Sequence, residues 1–255
     1  QNEIGQVDFK QIFSYLIMQS ICGIIAYLIT SKYFKRSIPE SIIWALTVAL
    51  SNHVTLLLPI TEIYFQQNVI TQVASIILMD GIILLSIIAF FLELSTKQNV
   101  NLFNFIKNLF LNPFILSIII GLLFLLLNFN IDQTPIEYTL SKLAACVSPV
   151  GLFAIGIILS FYTKNVINKL SVSISVLKLV ISPIILLLIG LVFFNAGLPA
   201  EIPGAFFVSV APCGVTSIVL CAAYNVSPEN IIKAIFVSTI ASIGTIFFAI
   251  KYLTL

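Results

Sequence analysis

The stretch "ALSNHVTLLLPI", residues 49–60, lies inside an apolar segment long enough to cross a membrane, yet it carries several polar side chains. Asn52 is followed directly by His53, the only histidine of the chain, and then by Thr55 and Pro59. Hydrocarbon offers no hydrogen-bonding partners, so polar groups and a helix breaker at mid-depth must face protein or a water-filled cavity. The stretch therefore predicts a helix that is broken near the middle of the membrane.

The composition indicates a membrane protein. The 255 residues are 60% hydrophobic and 9% charged, with a mean hydropathy of +1.14, whereas about 25% of the residues of a soluble domain are charged. The net charge of +2, without a basic patch, gives no indication of a nucleic-acid partner. Apolar runs of about 20 residues predict an all-α integral membrane protein, embedded in the lipid bilayer, with eight transmembrane helices. The predicted spans are 11–30, 41–60, 69–92, 109–128, 137–162, 171–194, 203–224 and 230–252.

Basic residues alternate between the predicted loops. They lie in the first, third and fifth loops, as Lys32, Lys35, Arg36, Lys97, Lys107, Lys164 and Lys169. The positive-inside rule places these loops in the cytoplasm. We therefore expect a multi-pass protein of the plasma membrane, here a bacterial inner membrane, with both ends of this chain on the non-cytoplasmic side.

A second interrupted span mirrors the first. Shifting the sequence by 161 residues aligns the second predicted span with the seventh, so that Thr55 falls on Thr216. Because the offset is an odd number of spans, the two units cross the membrane in opposite directions, as in secondary transporters built from inverted repeats. We expect part of a ten-helix fold of two inverted five-helix repeats with crossed broken helices, although a genuine eight-span protein stays open. The chain would hold an N-terminal repeat without its first two helices (1–92), a cytoplasmic linker (93–108) and a complete C-terminal repeat (109–255).

The seventh span carries its own break within "SVAPCGVTSIVL", residues 209–220. Pro212 removes a backbone donor and Gly214 tolerates irregular dihedrals; a simple proline kink is the alternative. Two crossing broken helices present half-helix ends to one small volume, and their N-terminal ends favour anions. The expected substrate-binding residues are Asn52, His53, Thr55, Pro59, Pro212, Cys213, Gly214 and Thr216.

Charged residues within the other spans allow two interpretations. Asp80, near mid-depth of the third span, is a candidate coupling site for a proton or a sodium ion, or a neutral residue that bonds a neighbouring helix. Lys178 lies closer to the cytoplasmic end of the sixth span, where its long side chain is expected to reach the interface; a contact with the substrate is the alternative. The four cysteines form no CxxC or Cys/His cluster and are expected to be small core residues, with no metal and no cofactor.

Three stretches resemble the auxin efflux carrier family of the bile-acid/arsenite/riboflavin transporter-like superfamily: "SNHVTLLLP" (51–59), "CVSPVGLFAIGIILS" (146–160) and "APCGVTSIVLCAAYNVSPENIIKAIFVSTIAS" (211–242). The resemblance implies ten helices in two inverted repeats and an organic-anion substrate held where two crossovers meet, with Asn52, Pro59 and Pro212 lining the site. Val54 and Leu57 stand where the family often has glycines, and Thr216 stands where it often has an amide.

Together these features predict a secondary active transporter that moves a small organic anion, such as a dicarboxylate or an auxin-like carboxylate, by alternating access. Two alternatives remain: a sodium-coupled bile-acid-like symporter, and a non-transporting membrane receptor or degenerate paralogue. An enzyme is not expected, because one histidine without a paired-carboxylate or Glu/His pattern provides no catalytic constellation. A proton or sodium ion is the expected coupling partner, and a homodimer is compatible with this fold.

Overall fold

The computed structural model describes residues 9–96, 102–111, 113–127, 129, 131–162, 166–195 and 199–254. Within these ranges the chain is helical, and its β-type pairing is limited to one isolated bridge. This agrees with the predicted all-α class. The α-helices of the described ranges are α1 (Phe9–Leu28), α2 (Ile38–Ala49), α3 (Leu58–Tyr64), α4 (Gln67–Met79), α5 (Leu85–Thr96), α6 (Leu102–Phe110), α7 (Pro113–Leu126), α8 (Pro135–Ser160), α9 (Lys169–Val176), α10 (Ser182–Phe194), α11 (Pro203–Ser209), α12 (Thr216–Ala223) and α13 (Glu229–Thr254).

Short π-helical turns extend or join several of these helices. Such turns close i→i+5 hydrogen bonds, and they occur frequently at functional sites. They lie at Ile29–Tyr33, His53–Leu57, Asp80–Leu84 and Leu177–Ile181. The third joins α4 to α5 and the fourth joins α9 to α10, so each pair forms one long helical rod.

Five helical rods of the described residues are long and apolar enough to cross a membrane. They are Phe9–Tyr33, Gln67–Thr96, Pro135–Ile158, Lys169–Phe194 and Glu229–Thr254. These lie at the first, third, fifth, sixth and eighth predicted spans. Two of the other predicted spans, 41–60 and 203–224, are each divided into shorter helices, and span 109–128 contains α7, which is 14 residues long. The count of eight therefore stays a prediction.

The second predicted span is broken between α2 and the π turn that follows it. Leu50 adopts extended dihedrals (φ −78°, ψ 129°), and the helix resumes after Asn52 (φ −78°, ψ 59°). The predicted contribution of Pro59 to this break is wrong, because Pro59 lies in the first turn of α3, beyond the π turn. The first turn of a helix tolerates proline because its N–H groups have no intrahelical partners.

The seventh predicted span is broken over a longer stretch. Helix α11 ends at Ser209 and α12 begins at Thr216. Pro212 and Gly214 both lie in this gap, as the sequence predicts, and the described peptide bonds include no cis bond. The two α-helical segments on either side are 7 and 8 residues long, too short to be stable without tertiary packing.

Two glutamines from other helices cap the start of α11. Ile202, at the N-cap position, makes no side-chain capping bond. Instead the Gly204 N–H donates to the Gln72 side-chain oxygen at 3.2 Å, and the Ala205 N–H donates to the Gln11 side-chain oxygen at 3.2 Å. The first-turn N–H groups of a helix need such partners when they are buried. The caps therefore fix the start of the broken helix to α1 and α4.

The core forms around α1, α2, α4, α5 and α9 to α13. Large side chains that are fully buried there include Trp44, Tyr15, Phe207 and Met18. Helix α8 lies at the edge of this core, with large apolar residues such as Phe153 exposed. It nevertheless contacts the first break, because the Ser148 hydroxyl donates to the Thr55 carbonyl at 2.5 Å.

Candidate functional site

The two breaks meet each other in the interior. An antiparallel bridge pairs Ser51 with Cys213. The Asn52 N–H donates to the Pro212 carbonyl at 2.9 Å, and the Gly214 N–H donates to the Thr47 carbonyl at 3.2 Å. Backbone groups that each helix loses at its break are thus satisfied by the other break. We refer to this junction of residues 50–53 and 210–215 as the crossing.

Gly214 allows the two backbones to approach this closely. A Cβ atom at this position would lie 2.7 Å from the Leu50 carbonyl oxygen and 2.9 Å from the Leu50 Cβ. A contact of that kind with backbone cannot be relieved by a change of rotamer. Gly214 is therefore required because the two backbone segments approach each other closely, and not because of its dihedral angles.

A buried lysine contacts the crossing, contrary to the sequence prediction. Lys178 was expected to extend to the membrane surface, but it is 0% exposed. Its ammonium donates to the Ser51 hydroxyl at 2.8 Å and to the Val48 carbonyl at 2.9 Å. The position of a residue along a transmembrane helix predicts how far its backbone lies from the membrane surface. The direction in which its side chain points depends instead on the neighbouring helices, which the local sequence does not reveal.

His53 and Asp80 form a buried hydrogen-bonded pair at the crossing. His53 Nε2 lies 3.0 Å from Asp80 Oδ2, and their side chains are 7% and 0% exposed. The Tyr15 hydroxyl donates to the same carboxylate oxygen at 3.5 Å and lies 3.3 Å from the Ser51 hydroxyl. Ser51 also accepts from Lys178, so a polar chain of close contacts runs from Lys178 through Ser51, Tyr15 and Asp80 to His53. Its Ser51–Tyr15 step is a 3.3 Å contact between two hydroxyls whose protons are donated elsewhere, to Val208 and Asp80.

Three neighbouring side chains keep one polar atom without a protein partner. These atoms are Asn52 Nδ2, His53 Nδ1 and Asp80 Oδ1. All three residues are buried, with exposures of 3%, 5% and 0%. The oxygen of the Asn52 amide is already occupied, since the Thr55 hydroxyl donates to it. Unpaired polar atoms in an interior carry a large free-energy cost, so each one calls for an explanation by water, an ion or a ligand.

The charged groups of the site coincide with the π turns. His53 begins one π turn, Asp80 begins another, and Lys178 is the second residue of a third. A π turn inserts an extra residue into a helical turn and reorients the side chains around it. The other residues of these three turns are mostly apolar and common in helices, so the turns leave no clear signal in the sequence.

The predicted site residues separate into two groups. Asn52, His53, Pro212, Cys213 and Gly214 lie at the crossing. Thr55 and Thr216 each follow the crossing by less than one helical turn, and Pro59 lies farther along, in α3. Asp80 joins the first group through His53. Tyr15, Ser51 and Lys178 also contact this group but are not among the residues predicted for the site. The sequence signal that could have indicated them is that each is a polar residue within an apolar span.

The cysteines do not form a metal site in the described part of the chain. No group of three or more His, Cys, Asp and Glu residues is placed there to hold a metal ion. Cys22, Cys213 and Cys221 are buried free thiols, as expected for core residues. Cys146 is exposed on α8, so the expectation of a core position is wrong for this residue. The reason is that α8 has few neighbours to cover it.

Interrupted helices that meet through their backbones, together with several rods of membrane-spanning length, define a multi-pass α-helical membrane protein. The chain matches a family model described as "membrane transport protein" over residues 5–250. The chain therefore belongs to this family of membrane transporters, in agreement with its resemblance to the auxin efflux carriers. A search of curated proteins gave no match.

Proposed function

We propose that this transporter is a secondary active carrier that moves a small organic anion by alternating access, with the anion held at the crossing. The proposal depends mainly on the Asn52 amide nitrogen, which is buried and lacks a protein partner. An amide nitrogen offers two donors to a carboxylate. Asn52 stands immediately before the helical segment that begins at His53. Helix starts favour anions because of their free N–H groups and partial positive charge.

A second helix start supports the same assignment. Helix α12 begins at Thr216, on the other side of the crossing. The two helical segments that leave the crossing therefore both present their N-terminal ends to it. A substrate with two carboxylates, or one carboxylate on an apolar body, would find donors from both segments.

The order of elements favours a carrier with two repeats. A long rod, a broken helix and a second long rod follow one another in residues 9–96 and again in 169–254. Inverted repeats with paired broken helices are typical of carriers that expose one central site to each side in turn. On this basis we keep the proposal of two units, 1–92 and 109–255. The predicted linker 93–108 is not a simple loop in its described residues, because α5 continues to Thr96 and α6 begins at Leu102.

The His53–Asp80 pair is the proposed coupling site. The pair lies next to Asn52 and consists of two groups that can bind a proton, an imidazole and a carboxylate. Protonation of either group alters the charge beside the bound anion, which connects proton and substrate binding. The plasma membrane, the non-cytoplasmic chain ends and a homodimer remain parts of this proposal.

Ligand-dependent stabilisation tests the proposed site. The purified protein would be heated with malate, malonate, indole-acetate or taurocholate, with and without sodium, beside Asn52→Ala. A ligand at about 100 times its Kd adds roughly 2.7 kcal/mol to stability, which raises the melting temperature by several degrees. We expect one anion to give this shift and Asn52→Ala to abolish it.

Asn68→Ala is the matched control, because Asn68 is an exposed asparagine at the start of α4. It should keep the ligand response in full. A response to no anion, or one that Asn52→Ala leaves intact, would refute the site. Binding without uptake into sealed vesicles would instead identify a receptor.

A further inference from the structure

We propose that the Lys178 ammonium is a cation fixed within the chain. It occupies the position where a carrier of this architecture would bind a coupling cation, and it makes transport by this protein independent of sodium. This inference rests on the proposed carrier function. It assigns a role to a residue that neither the family match nor the sequence analysis places in the site.

Three of the last four carbonyls of α2 each have a different donor. The last four carbonyls of a helix lack partners within the helix. In α2, the Leu46 carbonyl accepts from the Leu50 N–H at 2.8 Å, and the Thr47 carbonyl accepts from the Gly214 N–H at 3.2 Å. The Val48 carbonyl accepts from the Lys178 ammonium at 2.9 Å. The lysine thus contacts the C-terminal, negative end of α2 directly.

Lys178 reaches the end of α11 through one hydroxyl. Its ammonium donates to Ser51 at 2.8 Å, and the Ser51 hydroxyl in turn donates to the Val208 carbonyl at 2.9 Å. Val208 lies in the last turn of α11, which ends at Ser209. The C-terminal ends of both entering helices therefore converge on Lys178, one directly and one through Ser51.

This position needs positive charge. Each helix end carries about half a negative charge, and the Asp80 carboxylate lies nearby, connected to Ser51 through Tyr15. The groups in direct contact with the Lys178 ammonium are the Val48 carbonyl and the Ser51 hydroxyl, and neither is a cation. Of these charges, the Lys178 ammonium is the one that offsets the two helix ends.

A carrier without such a lysine would need a free ion here. Unwound carbonyls and the C-terminal ends of half-helices form the sodium sites of transporters with broken helices. A lysine supplies the same charge from within the chain and is never released. Its presence removes both the binding site and the need for sodium, which leaves His53 and Asp80 as the groups that exchange protons with the two sides.

Salt-dependent unfolding tests the inference without any organic ligand. Melting temperatures of the wild type and Lys178→Met would be measured in sodium, lithium and choline chloride at equal ionic strength. We expect the wild type to melt at one temperature in all three salts. We expect Lys178→Met to lose several degrees in choline and to regain at least half of that loss in sodium or lithium, since the small cation enters the vacated position.

Two further variants complete the experiment. Lys178→Arg keeps the cation and should respond to no particular salt. Lys233→Met is the matched control. Lys233 is also buried, at 6% exposure, but its ammonium pairs with the Glu229 carboxylate at 2.6 Å, and this pair lies outside the crossing. The variant should lose the same amount of stability in every salt.

Two results would overturn the inference. One is a wild type whose melting temperature is higher in sodium than in choline; the other is a Lys178→Met variant whose melting temperature neither sodium nor lithium raises. Neither depends on substrate binding, so a failure of the anion site would be seen separately in the ligand experiment.

Discussion

The imidazole of His53 and the carboxylate of Asp80 lie 3.0 Å apart, although 27 residues separate them in the chain. The break at residues 50–52 starts a new helical segment at His53, and a π turn begins at Asp80. Both deviations from regular α-helix bring the two side chains together. Their contact therefore depends on backbone irregularity at two separate places.

A double-mutant cycle should reveal a strong coupling between His53 and Asp80. His53→Gln removes the imidazole that contacts the buried carboxylate, and Asp80→Asn replaces that carboxylate by a neutral amide with a single acceptor oxygen. Breaking a buried pair costs about 3–5 kcal/mol. The double variant should lose less stability than the sum of the two single variants, because it leaves no unpaired charge. Thermal unfolding in detergent provides the measurement.

The half-exposed pair of Glu229 and Lys233 is the control for this cycle, because Glu229 is 50% exposed. An exposed i,i+4 pair contributes about 0.3–0.5 kcal/mol, so its coupling should be small. Equal coupling energies in the two cycles would show that the interior pair has no special role.

Gly214→Ala should destabilise the protein strongly. The new methyl group would lie 2.7 Å from the Leu50 carbonyl oxygen and would force the two backbones of the crossing apart. Loss of the bonds between the breaks exposes several buried backbone groups, each at a cost of about 1–3 kcal/mol. We expect a decrease of at least that size in the free energy of unfolding, or failure to fold.

Gly244→Ala is the matched control for this change. Gly244 lies inside α13, and a Cβ there has nothing within 4 Å. Alanine should stabilise the helix by about 0.5–1 kcal/mol, since glycine is the poorer helix former. If the Gly214→Ala and Gly244→Ala variants melt at the same temperature, the two backbone segments do not approach each other at Gly214 as closely as described.

The sequence predicts the locations of the breaks better than the contacts between them. Polar residues within an apolar span identify the first break at Asn52, and the proline and glycine of residues 212–214 identify the second. Pro59 leads to a wrong position for the break. A proline lacks the backbone N–H donor, but this does not show whether the helix is broken there or begins there, as α3 does. Lys178 misleads because its neighbours come from a span more than 120 residues away, about which local hydropathy carries no information.

Gln72→Leu should weaken the attachment of α11. The change removes the acceptor of the Gly204 N–H at the start of this short helix. Loss of a helix cap costs about 0.5–2 kcal/mol, which lowers the melting temperature by a few degrees. Gln67→Leu, at an exposed position of the same helix, should have no comparable effect. Equal losses in both variants would exclude the capping role.

Gly151→Ala should shift the carrier between its states. Helix α8 contacts the first break through Gly151, where a Cβ would lie 2.9 Å from the Thr55 Cγ2 methyl, and through the Ser148 hydroxyl. Under the proposed mechanism this contact forms in one state and opens in the other. A penalty of about 1 kcal/mol on the closed contact changes the ratio of the two states roughly fivefold.

Uptake of the identified anion into proteoliposomes should therefore change severalfold in Gly151→Ala, while the melting temperature changes by only a few degrees. Gly156→Ala lies on the same helix, and a Cβ at this position has nothing within 4 Å, so its uptake should equal that of the wild type. Unchanged uptake in Gly151→Ala would mean that α8 keeps a fixed distance from the crossing throughout transport. The moving contact would then have to lie elsewhere, and the first place to look is the polar chain from Lys178 to His53.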